Sequence, residues 1–416
     1  MASFAKDFRQ GVDVNLGVGY VNEETLPRAA VRRALDTVLS NPDKYRNALN
    51  YGNAVGSPNL LEATRAFLLR HRVGGITADV LERNRLVFGA NGATSLLEGI
   101  ASAFAPGLVV TADPLYYIYS SLLSRLGFEI LPIPEDAEGI RTDIIEHRLA
   151  DRLDELRFFY VVTVGNPSAR VLSNQRRREL LHVATKASHD VGKKIPIVFD
   201  GAYDLLIHDP DVENPRSSLL DDDLGVVYEV GTFSKILAPA LRAGYLLGPD
   251  GPLLDALVQR NNDVGLGAPL LNQEIASVLL GEPVDDQIRR VNAGYRHKSV
   301  VTRQLLEEHL GDALENVEGG QGGFYYYLTF RDVQTGQDSA FYRFCTRTTG
   351  DLSVDGPAHR PHPRVTYVPG SVFVHPTGEL RTVGDRQLRI SYGFENLDQI
   401  VRGISLMHDA VAFARR

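Results

Sequence analysis

Between residues 58 and 280 the sequence alternates short runs of β-branched and apolar residues with longer amphipathic segments. Strands that alternate with helices predict an α/β fold, and nearly continuous apolar runs predict a sheet that is buried on both faces. The predicted strands span residues 85–90, 107–112, 128–133, 157–164, 195–200, 225–231 and 242–248. A helix is predicted over residues 172–190, with Ser173 as its N-cap. Because ligands of such sheets bind where the strands end, we expect the functional residues there.

The pattern changes near residue 284, where a long periodic segment predicts a helix that ends near residue 312. Mixed strands are predicted at residues 323–330, 365–370 and 387–393. We therefore expect a large domain over residues 51–283, with a mostly parallel mixed sheet flanked by helices, and a smaller α+β domain over residues 284–416. Residues 1–50 are expected to contribute to the small domain.

The charge and the cysteine content exclude several classes of protein. A formal net charge of -8 at pH 7 argues against a nucleic-acid or membrane partner, because phosphate groups require a basic surface. The single cysteine, Cys345, rules out an internal disulfide and a cysteine-based metal cluster, and no metal is predicted. The sequence shows neither an apolar leader nor a run of about 18 apolar residues, so we expect a cytoplasmic location.

Two of the predicted strand ends carry residues that could bind charged groups. Gly92, Ala93 and Thr94 lie between a strand and a helix, where backbone N–H groups and the helix dipole favour an anion. Asp200 ends an apolar strand and is followed by Tyr203; a buried carboxylate is costly without a cationic partner. Taken singly, the first segment could be an ordinary turn and Asp200 a cap or turn residue.

Lys235 lies between small polar residues and a loop that contains proline, an unusual place for a surface lysine. Tyr116 follows another strand and could be either a core residue or a flat surface for stacking. An amine, a phosphate pocket, a stacking tyrosine and a cation-seeking aspartate are together the groups that bind pyridoxal phosphate as a Schiff base. We therefore expect Lys235 to form the Schiff base and Asp200 to pair with the pyridinium nitrogen.

The same assignment gives roles to four further residues. Ser234 and Arg242 are expected to bind the phosphate together with the turn that begins at Gly92. Asn166 follows a predicted strand, and the Asn-Pro sequence there is typical of a turn. Both Asn166 and Tyr203 are expected to hydrogen-bond the ring hydroxyl of the cofactor.

The segments that carry these residues resemble the aminotransferase class I and II family, which belongs to the pyridoxal-phosphate enzymes of fold type I. The matching segments are NGATSLL, DPLYYIY, VGNPSA, FDGAY and TFSKILAPALRAGY. The resemblance implies that Thr232 also contacts the cofactor. It further implies that Tyr51, in LNYGNAVGSPNLLEA, reaches the phosphate of a neighbouring subunit, which predicts a homodimer with shared active sites.

The resemblance also implies a substrate side of the site. Arg389, in LRISYG, is expected to form a bidentate clamp on the α-carboxylate, a geometry that a guanidinium group suits. Gly19, in VNLGVGY, is expected to lie near the same carboxylate, with Tyr20 and Asn166 also on the substrate side.

The sequence departs from the family pattern at two positions. Ala169 stands where glycine is common, which raises the question of whether that turn adopts a positive φ. Gly201 stands where a bulkier residue is usual, which could leave extra room beside the cofactor.

The function expected from these residues is transfer of an amino group between an amino acid and a 2-oxo acid. The alternative keeps the cofactor but changes the reaction to elimination, replacement or decarboxylation, as in enzymes similar to 1-aminocyclopropane-1-carboxylate synthase. A transcription regulator with an aminotransferase-like domain is disfavoured, because the resemblance begins near residue 11 and leaves no room for a winged-helix head. A dinucleotide-binding oxidoreductase is disfavoured too, because no Gly-x-Gly-x-x-Gly follows the first strand.

Overall fold

The computed structural model describes residues 7–281 and 283–416. The strands in these residues form one large sheet, one smaller sheet and one sheet of two short strands. The strands β1 to β14, in chain order, are Val14–Asn15, Asn84–Phe88, Leu108–Asp113, Glu129–Asp136, Gly139–Ile140, Leu156–Val162, Ile197–Asp200, Val227–Thr232, Gly244–Pro249, Leu314–Gly319, Tyr325–Phe330, Val365–Thr366, Val368–Pro369 and Gln387–Ser391. The α-helices α1 to α14, in chain order, are Arg28–Ser40, Pro58–Arg70, Ala78–Arg83, Gly92–Ser102, Tyr117–Arg125, Ile145–Leu149, Asn174–Val191, Pro252–Gly265, Leu270–Leu279, Pro283–Leu310, Ala340–Thr346, Leu352–Asp355, Arg381–Gly384 and Leu397–Ala414.

The large sheet has eight strands in the order β2-β9-β8-β7-β6-β3-β4-β5. Its five central strands, β8, β7, β6, β3 and β4, are parallel, whereas β9, β2 and β5 pair antiparallel with their neighbours. Alternate residues of β7 pack into separate apolar clusters on the two faces, as Val198 and Phe199 illustrate. The predicted α/β class and the mostly parallel sheet buried on both faces are therefore confirmed.

The smaller sheet is antiparallel, in the order β10-β11-β14-β13, and the long helices α10 and α14 pack against each other beside it. The first strand of the chain, β1, pairs in parallel with β12, so residues from the beginning of the chain lie beside the C-terminal part. In contrast, α1 packs against α9, which precedes residue 283. Residues before 50 thus contact both parts, and the domain boundaries at 50 and 283 stay predictions.

Local sequence signals explain where these elements begin and end. The predicted helix over residues 172–190 is observed as α7, and the Ser173 hydroxyl accepts a hydrogen bond from the N–H of Arg176 at 3.0 Å. The helix ends at Gly192, which adopts a positive φ of 69°. The single strand predicted at 365–370 is wrong in detail. The chain there pairs first with β1 and then, after Tyr367, with β14, so two short strands form.

No helix in the part of the chain that the structure describes combines the length and the apolar character needed to cross a membrane.

Candidate active site

The parallel strands bring four predicted site residues to one edge of the large sheet. Asp200 is the last residue of β7, and Lys235 follows the end of β8. Asn166 follows β6, and Tyr116 follows β3 and precedes α5. Since the carboxyl ends of parallel strands meet at the same edge, this placement agrees with the expectation from the sequence.

The Asp200 carboxylate is buried and accepts two hydrogen bonds. The Tyr160 hydroxyl donates to one oxygen at 2.7 Å, and the N–H of Ala202 donates to the other at 3.2 Å. Burial raises the pKa of Asp200 to about 6, against the opposing effect of these bonds. The sequence analysis missed Tyr160; the signal was a hydroxyl inside an otherwise apolar strand. A cationic partner would stabilise the ionised carboxylate here.

The Lys235 amine is half-buried and weakly held. Its Nζ donates to the Gly19 carbonyl at 3.3 Å and lies 5.5 Å from the ring centroid of Tyr203 and 5.6 Å from that of Phe324. Within residues 7–281 and 283–416 this carbonyl is the one hydrogen-bond acceptor of the amine. The amine is therefore free to exchange this contact for another partner.

The charges around Lys235 favour its neutral form. Burial of the amine lowers the pKa of Lys235 to about 8, and the guanidinium groups of Arg242 and Arg389 act in the same direction. The Asp200 carboxylate opposes them with a smaller effect. The neutral amine, which is the nucleophilic form, is thus more accessible near neutral pH than in an ordinary lysine.

The N-terminus of α4 is the structure's candidate anion site. Its N-cap residue, Asn91, makes no capping side-chain hydrogen bond and instead accepts one from Arg242 Nε at 2.7 Å. Arg242 Nη2 also donates to the Asn91 carbonyl at 2.9 Å. Gly92 adopts a φ of +69°, and a Cβ at this position would lie 3.0 Å from Arg242 Nη2. Glycine at position 92 thus permits Arg242 to lie against the helix terminus. The sequence did not predict Asn91 as a site residue, because the side-chain partners of turn residues cannot be read from sequence.

The other predicted cofactor contacts lie in the turn after β8 and in the first turn of α4. The Thr232 hydroxyl lies 2.9 Å from the Ser234 hydroxyl and 3.0 Å from the Ala243 carbonyl. The N–H of Ser234 donates to the Thr232 hydroxyl at 3.1 Å, which fixes this turn. Ala93 is half-buried and Thr94 is exposed in the first turn of α4.

Arg389 provides a second, deeper cationic group on β14. Arg389 is only 3% exposed. Its Nη1 donates to Asn166 Oδ1 at 2.5 Å, and its Nη2 donates to the Gly17 carbonyl at 2.6 Å. The guanidinium carbon lies 4.1 Å from the ring centroid of Tyr325. The buried Nε has no hydrogen-bond partner among the residues that the structure describes. Arg389 is therefore held firmly while its Nε–H stays free.

Two aromatic residues of the predicted site, Tyr203 and Tyr116, lie within electrostatic reach of Arg389. The Tyr203 hydroxyl is 2.8 Å from the Tyr325 hydroxyl, and both residues are buried. Burial raises the pKa of Tyr116, and the Asp200 carboxylate adds to this effect, which puts Tyr116 within electrostatic reach of Asp200. The sequence allows Tyr325 to line the substrate pocket but favours a core residue, because a tyrosine in an aromatic strand is indistinguishable from one.

Tyr51 and Tyr20 are exposed. Tyr51 is 76% exposed and lines, with Asn91 and Leu270, a surface cavity of about 490 Å³. Tyr20 is 65% exposed and makes an edge-to-face contact with Phe394, with ring centroids 6.1 Å apart. Neither side chain is brought against Lys235 by the contacts found within the described residues.

The structure answers both questions raised by the departures from the family pattern. Ala169 does adopt a positive φ, of 52°, in a fully buried turn. At Gly201 the space for a side chain is bounded by polar groups. A Cβ at Gly201 would lie 2.7 Å from Asp204 Oδ2 and 3.3 Å from the Val230 carbonyl, so neighbouring polar groups already fill that space.

These residues fit pyridoxal phosphate. Asp200 offers a buried carboxylate to a protonated ring nitrogen, and Lys235 offers an amine with one weak contact. The helix terminus at Gly92, with Arg242 against it, suits a phosphate. The free Nε of Arg389 suits a substrate carboxylate.

Known proteins share both the sequence pattern and the fold. An uncharacterized HTH-type transcriptional regulator of Bacillus subtilis (strain 168) is 24% identical over 94% of this chain and 72% of its own length. Aromatic-amino-acid aminotransferase 1 of Thermococcus litoralis is 25% identical over 76% of this chain and 73% of its own length. LysN, the α-aminoadipate aminotransferase of Thermus thermophilus, solved with N-(5'-phosphopyridoxyl)-L-leucine, superposes with a TM-score of 0.78 at 22% identity, covering 99% of this chain and 95% of LysN.

The model of the family described as aminotransferase class I and II matches residues 12–352, most of the chain. That range includes all the candidate cofactor-binding residues described above and stops before Arg389. The chain therefore belongs to the aminotransferase class I and II family, a family of transferases that use pyridoxal phosphate.

Proposed function

We propose that this chain transfers an amino group from an amino acid to a 2-oxo acid, with Lys235 as the residue to which pyridoxal phosphate is attached. One observation carries the proposal: the half-buried Lys235 amine lies within electrostatic reach of a buried acid, Asp200, and of the guanidinium groups of Arg242 and Arg389. Burial and the two guanidinium groups lower the pKa of this lysine against the opposing effect of Asp200, as a nucleophile and proton carrier requires.

Asp200, Tyr160 and Lys235 have different roles in the proposed reaction. When bound, the cofactor supplies an electron-poor ring that accepts electrons from the bond broken at the substrate Cα. The Asp200 carboxylate holds a proton on the ring nitrogen, and Tyr160 orients that carboxylate through its hydrogen bond. Lys235 would take the proton from the substrate Cα and deliver it to C4′ of the cofactor, for which a pKa near neutrality is suited.

Arg389 binds the substrate α-carboxylate in this proposal. The Asn166 amide oxygen and the Gly17 carbonyl already orient its guanidinium group, so little side-chain entropy is lost when a carboxylate binds. The free Nε supplies a donor that the protein itself does not use.

The turn at Gly92, together with Ser234 and Arg242, binds the phosphate of the cofactor. The uncapped first turn of α4 provides backbone N–H donors, and Arg242 adds a full positive charge beside them. Asn166 and Tyr203 are proposed to hydrogen-bond the ring hydroxyl, and Tyr116 to stack on the ring.

We further propose a homodimer in the cytoplasm, with Tyr51 reaching the phosphate site of the second copy. Large apolar side chains are exposed around Tyr51, namely Leu49, Val264 and Leu266, and such a patch favours contact with another chain. Light scattering of the purified protein tests the dimer, and a monomer with full activity would contradict it. Cell fractionation tests the location.

Spectroscopy of the loaded protein tests the function. Wild-type protein loaded with pyridoxal phosphate is expected to absorb at the edge of the visible range. Adding an amino acid without a 2-oxo acid acceptor is expected to convert it to the pyridoxamine form, with one 2-oxo acid released per site. A screen of amino acids read in this way also identifies the substrate. Release of ammonia or carbon dioxide without accumulation of pyridoxamine phosphate would instead indicate elimination or decarboxylation.

A further inference from the structure

The proposed function leaves one buried residue of the pocket, Tyr325, without a role. Tyr325 is the first residue of β11 and is 1% exposed. It contacts three predicted site residues at once, namely Tyr203, Arg389 and Gly19. A tyrosine that served only to fill the core would need no hydroxyl, and a phenylalanine would pack as well.

The hydroxyl of Tyr325 has a single partner. It lies 2.8 Å from the Tyr203 hydroxyl, and neither oxygen forms another hydrogen bond within the described ranges. In such a pair one hydroxyl donates and the other accepts, so one of the two protons stays free for a different acceptor. If Tyr325 donates, the free proton is that of Tyr203, which the proposed function directs to the ring hydroxyl of the cofactor.

The ring of Tyr325 supports the guanidinium group of Arg389. The guanidinium carbon lies 4.1 Å from the ring centroid, within the range of a cation–π contact. This stacking and the bonds to Asn166 and Gly17 fix the plane of the guanidinium group from both its face and its edge.

Gly19 gives the Tyr325 hydroxyl its space. A Cβ at Gly19 would lie 2.3 Å from that oxygen, so a side chain at Gly19 would displace the hydroxyl. The carbonyl of the same glycine accepts the hydrogen bond from Lys235. One tyrosine thus lies where the segment around Gly19, the ring-hydroxyl contact and the carboxylate site meet.

We propose that Tyr325 is a positioning residue: its hydroxyl donates to Tyr203 and directs the Tyr203 proton to the cofactor, while its ring supports the Arg389 clamp. This inference rests on the proposed function and adds to it a residue that tunes the cofactor through Tyr203. Tyr325 itself moves no proton in the reaction.

The test compares Tyr325→Phe with Tyr326→Phe. Tyr326 is the next residue and equally buried, but its hydroxyl donates to the Ser299 carbonyl at 2.9 Å, away from the pocket. Tyr325→Phe loses the bond to Tyr203, and Tyr326→Phe loses the bond to the Ser299 carbonyl and a 3.0 Å contact with the Ser299 hydroxyl, so both variants are expected to lose folding stability. The discriminating readout is the pH midpoint of the visible absorbance of the cofactor-loaded protein.

Tyr325→Phe is expected to raise this midpoint by about half a pH unit, the size of one lost neutral hydrogen bond. Without the donated bond, Tyr203 is a weaker donor to the ring oxygen of the cofactor. That oxygen then keeps more negative charge, and the nearby nitrogen of the Lys235 Schiff base keeps its proton to a higher pH. Tyr326→Phe is expected to titrate like the wild type.

Steady-state kinetics separate the two parts of the proposal. Tyr325→Phe keeps the ring, so KM for the amino acid is expected to change less than about twofold while kcat falls about threefold. Tyr325→Leu removes the ring as well and is expected to raise KM about fivefold to tenfold through the lost cation–π contact.

A double-mutant cycle with Tyr203→Phe keeps the test decisive. If Tyr325 acts through Tyr203, adding Tyr325→Phe to Tyr203→Phe moves the midpoint no further. Equal midpoints for Tyr325→Phe and wild type, or equal shifts in Tyr325→Phe and Tyr326→Phe, would overturn the inference and leave the proposed function intact. A loaded wild-type protein without a visible band would overturn the proposed function and this inference together.

Discussion

The proposed phosphate end and the proposed carboxylate end of the site are built in different ways. Arg242 at the phosphate end bonds to the side chain and carbonyl of Asn91, beside the first turn of α4. Arg389 at the carboxylate end is buried and held by Gly17, Asn166 and Tyr325, which come from three distant parts of the chain. The phosphate end thus depends on one helix terminus, and the carboxylate end on the convergence of separate segments. We expect the second to be the more sensitive to substitution.

The largest effect is expected at Arg389. Arg389→Gln is expected to lower kcat/KM for the amino acid about a thousandfold, because a buried cation that binds a carboxylate is worth several kcal/mol. The affinity for pyridoxal phosphate is expected to stay within about twofold of the wild type, since the phosphate end is untouched. Steady-state kinetics and a cofactor titration check both statements. Loss of cofactor affinity equal to the loss of kcat/KM would contradict the separation of the two ends.

A smaller and opposite effect is expected at Arg242. Arg242→Gln is expected to raise the Kd for pyridoxal phosphate about tenfold to thirtyfold, because one charge-assisted contact is lost while the helix terminus remains. At saturating cofactor the KM for the amino acid is expected to change little. A larger change in KM than in the cofactor Kd would show that the two ends are not independent.

Lys235 makes the folding free energy of the cofactor-free protein depend on pH. The folded-state pKa of about 8 lies below the ordinary value of 10.5, so the folded chain bears the cost of a buried charge below pH 8. That cost is relieved as the pH rises from about 8 to 10.5. Lys235→Met is therefore expected to be more stable than wild type by about 1 to 2 kcal/mol at pH 7, and the gap to close at higher pH. Urea unfolding at several pH values measures it, and a gap independent of pH would contradict this account.

The smallest effect is expected in the turn that carries Asn166. Ala169→Gly removes the strain of a positive φ, about 1 kcal/mol, but also removes a buried methyl group worth about 0.8 kcal/mol. The free energy of unfolding is expected to change by less than about 0.5 kcal/mol, and KM to stay the same. Urea unfolding of both proteins checks this. A loss above about 2 kcal/mol would mean that packing of the methyl group outweighs the strain.

The sequence predicts the fold and the edge of the sheet where the site lies, because both follow from alternating elements and from where parallel strands end. The positions of Asp200 and Lys235 could be predicted for this reason. The contacts of Tyr160 with Asp200 and of Tyr325 with Tyr203 could not, because they depend on which side chains meet across elements. Packing also decided the question at Gly201, where Asp204 fills the space that the sequence left open.

Chemical trapping tests the central claim most directly. Borohydride reduction of the protein loaded with pyridoxal phosphate, followed by digestion and mass spectrometry, identifies the residue that carries the cofactor. We predict a single pyridoxyl adduct on Lys235, and none in Lys235→Ala. An adduct on another lysine, or an unmodified chain after saturating loading, would contradict the account.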